Sequence, residues 1–261
     1  VTSFPKNRWT MAGLGVVLPL LVLVAWHLLS TTGVFTPIQL PSPSKVAAAG
    51  IELMRRHELW QHVGISTQRV ILGFVIGSAL GLVIGALVGL SRWTRILAGP
   101  TIGAIRAVPS LAWVPLMLLW VGVGENSKVI LVAIGAFFPV YTTVAGALKH
   151  VDHHLIEAAR SFGIHGIRLF TTVQLPAVMP SVVSGLRLAL AQAWLFLVAA
   201  ELVGASMGLG FLLTDSQSNG RTDRLILAII LLAILGKITD ALIGIFERWT
   251  QRRWGTAPAA S

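Results

Sequence analysis

Three groups of residues in this sequence have types and spacings that could do chemistry. Glu157-Ala158-Ala159, Gly163 and Val173-Gln174-Leu175-Pro176 form a polar island between two hydrophobic runs. An acid followed by two small residues suits a helix against which another surface packs closely. Gly163 can end that helix at positive φ, and Pro176 restricts the backbone at the start of the next hydrophobic run. The chemistry would be docking. The second group is Arg106, Arg187, Lys237 and Asp240, which stand inside otherwise apolar runs. There an ionisable group snorkels to the interface, pairs, or serves a transported ion. The third group is His150, Asp152, His153 and His154. A metal centre needs converging ligands and an ordered second shell. At the edge of a hydrophobic run these side chains read as solvated residues holding no metal.

Whole classes of chemistry are excluded. The chain has no cysteine, so disulfides, thiolate nucleophiles and Cys-ligated metals are out. No G-x-x-x-x-G-K-[ST] phosphate loop occurs, so the chain cannot hydrolyse ATP itself. We assign no catalytic residue and no cofactor.

The elements that must position these residues are hydrophobic. Of 261 residues 55% are hydrophobic and 11% charged, with a mean hydropathy of +0.80, which describes an integral membrane protein. The net charge of +10 then reads as basic loops facing anionic lipid rather than as a nucleic-acid surface. Six runs approach the ~20 residues that a helix needs to cross a bilayer. They fall near 11–29, 70–90, 103–121, 129–148, 178–201 and 225–246. With the N-terminus inside, the cytoplasmic segments hold Lys6, Arg8, Arg92, Arg95, Lys149, Arg160, Arg168, Arg248, Arg252 and Arg253. The outer loops hold Lys45, Arg55, Arg56, Arg69, Arg221 and Arg224. Ten against six places both termini and the polar island in the cytoplasm. The expected organisation is a cytoplasmic segment 1–10, a membrane domain 11–250 and a cytoplasmic tail 251–261. The first run is long for a signal peptide and lacks a good cleavage site, so it reads as a retained helix.

Between the first two runs, Leu40-Pro41-Ser42-Pro43-Ser44 breaks the chain. Ser44 is expected to cap an amphipathic helix over 45–62. The second run carries glycines at 73, 77, 81, 85 and 89, which draw a groove along one helix face. Such a groove lets two backbones approach, either for plain packing or for sliding. The third run contains Pro109 and Pro115, each expected to bend it. Freed carbonyls are tolerated in a membrane where protein or a cavity meets them, so the bends read either as packing kinks or as part of a path. Glu201 is expected to pair with Lys128, and Lys237 with Asp240 at i,i+3.

The polar island resembles the EAA loop of ATP-binding-cassette importer permeases: EAA, three residues, G, nine residues, then I-x-L-P. Here it stands as EAARSFG-IHGIRLFTT-VQLP, with Val173 in place of Ile. The run from Arg106 through Val108-Pro109, Ala112-Trp113 and Pro115-Leu116 is similar to sulfonate, taurine and nitrate importer permeases. So are Leu119–Lys128, Ala133–Pro139 and Gly208–Leu212. The similarity covers about 35–250 and is closest to the aliphatic-sulfonate branch.

The resemblance implies an all-α, six-span type I importer permease in the inner membrane, with a cytoplasmic coupling helix. It implies two permease copies, two copies of an ATP-binding subunit and an extracytoplasmic substrate-binding protein that sets most of the selectivity. Glu157, Ala158, Ala159, Ser161, Gly163 and Ile164 would contact the ATPase. Arg106, Ser110, Trp113, Arg187 and Trp194 are the expected lining of the path, with the tryptophans giving an apolar wall for an alkyl tail. A secondary anion carrier would explain the basic residues but not the EAA-like loop. A haem protein would need histidines at mid-depth, and apart from His27 and His62 near the outer ends none is placed to serve.

Overall fold

The computed structural model describes residues 8–109 and 112–253, with side chains from 17 to 250. Ser110 and the outermost residues of both termini lie outside that range. Among the described residues the secondary structure is helical throughout, in eleven α-helices and one π-turn. They are α1 (Arg8–Thr31), α2 (Pro43–Arg55), α3 (Glu58–Leu90), α4 (Arg92–Ala107), α5 (Trp113–Val121) and α6 (Glu125–Lys149). Then follow α7 (His153–Ser161), α8 (Gly166–Leu169), the π-turn Phe170–Gln174, α9 (Leu175–Gly204), α10 (Leu209–Ser218) and α11 (Thr222–Arg253).

Among the described residues four stretches are continuous and apolar enough to cross a membrane: Glu58–Leu90, Glu125–Lys149, Gly166–Gly204 and Thr222–Thr250. Within α1, Val17–Thr31 is a shorter apolar stretch. The expected third span is not one helix. Val108, extended at ψ 126°, ends α4 just before Pro109, in the conformation that crowding by the following proline ring favours. Pro115 breaks nothing, because it falls in the first turn of α5, where its missing N–H has no intrahelical role. Pro176 falls in the first turn of α9, where its missing N–H is tolerated, and the π-turn Phe170–Gln174 joins α8 to it so that Gly166–Gly204 runs as one helical stretch.

The chain divides into two compact units. The first holds the described residues up to Gln61 together with Leu212–Ile230. In it, α1 turns apolar side chains outward on every side, among them Leu18, Leu20, Leu21, Val22 and Val24. That pattern suits lipid, not water. Trp26 Nε1 donates to the Pro41 carbonyl at 3.0 Å. Ser42, not Ser44, is the N-cap of α2, with Pro43 in the first turn. The amphipathic helix stops at Arg55. His57, at φ 61°, turns the chain, so 58–62 belong to α3.

Glu52 on α2 is gripped by Arg221 and Arg224, each at 2.8 Å, and by Arg56 at 3.0 Å. The hydrogen bond from Arg221, helped by that from Arg224, holds the Glu52 carboxyl below its ordinary value near 4.5 despite the opposing effect of burial. A depressed carboxyl stabilises the fold fully above its unfolded pKa and loses that contribution as pH falls through the folded value. Protection factors of the amides of 43–55 in the purified protein are therefore expected to fall on acidification below about pH 4.5. Glu52→Gln should exchange faster at neutral pH and show no such step. An unchanged exchange profile in that variant would refute the assignment.

The second unit holds His62–Phe211 and the described residues from Leu231 onward. Its core is built by α6 and α9, with Val132, Ala136, Val140, Val144, Val182, Ala189, Ala193 and Leu197 buried between them. The glycine face of α3 lies on α6. A Cβ at Gly73, Gly77, Gly81, Gly85 or Gly89 would meet, in order, Val132, the Ala133 carbonyl, the Phe137 carbonyl, the Tyr141 carbonyl and Leu148.

Candidate functional site: docking loop, cavity and buried ion network

The polar island folds as a capped helix and a turn. Asp152 caps α7 by accepting from the His154 N–H at 2.9 Å. Glu157 stands in the middle of the helix, 3.3 Å from His153 one turn back. Ser161 returns its hydroxyl to the Glu157 carbonyl at 3.1 Å. At the other end Gly163 sits at φ +77°. Its N–H reaches the Arg160 carbonyl at 2.9 Å, and the Ile164 N–H reaches Ala159 at 3.0 Å. That pair of bonds is the Schellman stop, which favours glycine.

The two alanines face different ways. Ala159 is buried, whereas Ala158 is exposed. Ile164 is half-buried and Ser161 exposed. Around them Leu155, Phe162 and Ile167 project apolar side chains outward, with Phe162 85% exposed. His150 Nδ1 is engaged by the Gly146 carbonyl at 2.8 Å, and no three His, Asp or Glu side chains converge as metal ligands among the described residues.

The residues expected to line a path separate into three places. Arg106 and Trp113 border a cavity of about 550 Å³ together with Pro109, Phe138, Gln192 and Phe196. Trp194 lies in the core, with its indole N–H donating to Thr239 at 3.0 Å. Arg187 grips Asp240 of α11 with two bonds of 2.5 and 2.8 Å and touches Glu247 at 3.3 Å. The i,i+3 contact of Lys237 with Asp240 exists at 3.9 Å, but Arg187 is the principal partner.

Sequence reasoning missed a buried network in the same unit. Loop-charge counting places Arg69 among the outer-loop residues. It is 3% exposed within α3 and bridges two carboxylates. Its Nε and Nη2 meet Glu125 at 2.7 and 2.5 Å, and its Nη1 meets Glu201 at 2.6 Å and the Met207 carbonyl at 2.7 Å. Glu201 also accepts from Ser66 at 2.8 Å and from the Gly210 N–H at 2.7 Å. The Gly208 N–H donates to His62 Nδ1 at 3.1 Å, and Leu209 N–H donates to Ser66 at 2.8 Å. The expected Glu201–Lys128 pair is replaced by this arrangement. Lys128 reaches Glu125 on its own helix at 3.2 Å, whereas the guanidinium fork spans both carboxylates. The Gly208-Leu209-Gly210 run has a reason here: at Gly208, φ +125°, a Cβ would strike the Glu201 carboxylate. A charged residue at the edge of a glycine-lined helix was the available signal.

Residues 77–252 match the family described as binding-protein-dependent transport system inner membrane component. The chain is 41% identical over 254 residues to SsuC of Escherichia coli (strain K12), a permease named for aliphatic sulfonates transport; the match spans 97% of this chain and 96% of that one. It is 39% identical to the like-named protein of Bacillus subtilis (strain 168), covering 90% and 85% of the two chains. The taurine transport system permease protein TauC of Escherichia coli is 32% identical over 94% and 90%. Among solved structures, an inward-facing MetNI methionine ABC transporter chain superposes with a TM-score of 0.60 at 22% identity, covering 77% of this chain and 98% of that one. That likeness is one of fold.

Proposed function

The chain belongs to the family of binding-protein-dependent transport system inner-membrane components, and on that premise we propose that it passes an aliphatic sulfonate across the membrane. It is the multi-pass permease subunit of an ATP-driven importer, a transport subunit and not itself an enzyme. Such a subunit works with an ATPase and a substrate-binding protein. Our reading adds two copies of each membrane and ATPase subunit, a path at the axis between the permeases, and both termini in the cytoplasm. The path takes in Arg106 and Trp113, with Ser110 between them in sequence.

The observation that carries the coupling part is the α7 loop. A capped helix of polar composition ends on a positive-φ glycine and leaves Leu155, Phe162 and Ile167 exposed. Clustered apolar side chains on a polar loop mark a surface that another protein covers. Ala158 is the exposed small residue there, so a large side chain fits in the free permease but obstructs close approach of the ATPase. Ala159, being buried, would disturb the loop itself.

Ala158→Trp is expected to leave the permease inserted and as heat-stable as the parent, while losing co-purified ATPase and its stimulation by loaded binding protein. Gly163→Val has room but strains the backbone by about 1 kcal/mol or more, and should weaken the same readouts. Ala158→Trp with normal stimulation would remove the docking role.

A further inference from the structure

The cavity beside Arg106 is built for one kind of solute, an inference that rests on the sulfonate reading above. We infer that it is a substrate checkpoint within the permease, in which Arg106 and Gln192 hold a sulfonate and Trp113, Phe138 and Leu188 hold its alkyl chain.

The polar end has unspent donors. Arg106 makes one hydrogen bond, from Nη1 to Thr142 Oγ1 at 3.1 Å, and no carboxylate lies within ion-pair distance among the described residues. A guanidinium has five N–H donors, so four remain. Arg69 and Arg187, by contrast, are consumed by carboxylates. Thr142 and Thr143 donate to the carbonyls of Phe138 and Pro139, at 2.8 and 2.5 Å, so they orient the cavity wall and give nothing to a ligand. The Gln192 amide is half-buried on the lining and has no partner among the described residues. A sulfonate is anionic at any physiological pH and accepts through three oxygens without donating, which matches a donor-only arginine and an amide N–H₂.

The rest of the lining is apolar. Trp113 and Phe138 also border a second cavity of about 260 Å³, walled by Ile76, Leu80, Ile130 and Phe137. They therefore form the partition between a polar-tipped space and a wholly apolar one, and they set how long a tail fits. Each methylene buried along that wall raises affinity by about fourfold until the partition is met.

The test uses the permease–ATPase complex in nanodiscs, with radiolabelled linear alkanesulfonates from ethane- to octanesulfonate and no binding protein. Saturable binding is expected, climbing with chain length to a plateau. Arg106→Gln and Gln192→Leu should weaken it by about tenfold or more at every length, with the slope kept, and Arg106→Lys should recover part. Trp113→Ala should move the plateau to longer chains, a change that a purely structural role would not produce. Sulfonate uptake with the binding protein present, but no binding without it or unaltered binding in the variants, would overturn the checkpoint and leave the permease reading standing. Failure of uptake for every sulfonate would overturn the substrate class itself. A co-purified anionic phospholipid that octanesulfonate cannot displace would make the cavity a lipid site and overturn the inference.

Discussion

Arg69→Met will destabilise the purified permease by about 3–5 kcal/mol, the range for removing one partner of a buried ion pair. Glu201 is 1% exposed, and without the guanidinium its carboxylate keeps only Ser66 and the Gly210 amide. Glu125, at the rim, can turn to water and to Lys128, so the cost falls on Glu201. Met207 loses the donor that ties its carbonyl to α3, and the start of α10 loosens with it. Thermal unfolding in detergent reads the effect. Arg69→Met with Glu201→Gln should recover part of the loss, because a neutral amide is less costly to bury than a lone charge. A single variant as stable as the parent, or a double variant no better than the single, would show that the network contributes little.

Gly77→Ala will destabilise the protein by about 1–3 kcal/mol, although alanine is the better helix former. The added Cβ would run into the Ala133 carbonyl of α6, and backbone cannot rotate away as a side chain can. The same change at Gly146, where nothing lies within 4 Å, should be neutral or stabilising by up to about 1 kcal/mol. The opposite signs separate close packing from helix propensity. Equal shifts in unfolding temperature at both positions would refute the contact. Sliding between the two helices would require the glycine face to stay smooth along its length, so Gly81→Ala should impair uptake as well as stability.

Much of this protein was legible in one dimension because a bilayer imposes a one-dimensional rule: a spanning helix needs a long apolar run, whatever its neighbours. The all-α class, the apolar runs of the four continuous spans and the polar island followed from that rule and from the spacing of EAA, Gly and Leu-Pro. The glycine repeat announced a close helix contact, though not with which helix. Local backbone rules also carried through where they were purely local, as at Gly163 and before Pro109.

The tertiary structure decided everything that depends on which side chains meet across separated parts of the chain. Arg69, Glu125 and Glu201 lie far apart in sequence, and no spacing rule links them; only the folding together of α3, α6 and α9 makes one guanidinium serve two carboxylates. Trp113 and Trp194 look alike as residues in apolar runs, yet one borders a cavity and the other fills the core. Ala158 and Ala159 are adjacent and identical, and a helical step of ~100° puts one outside and one inside. Hydropathy reports that a residue tolerates an apolar environment, but not whether that environment is lipid, packed protein or an open cavity. The latter is a property of distances between elements, which the order of residues does not contain.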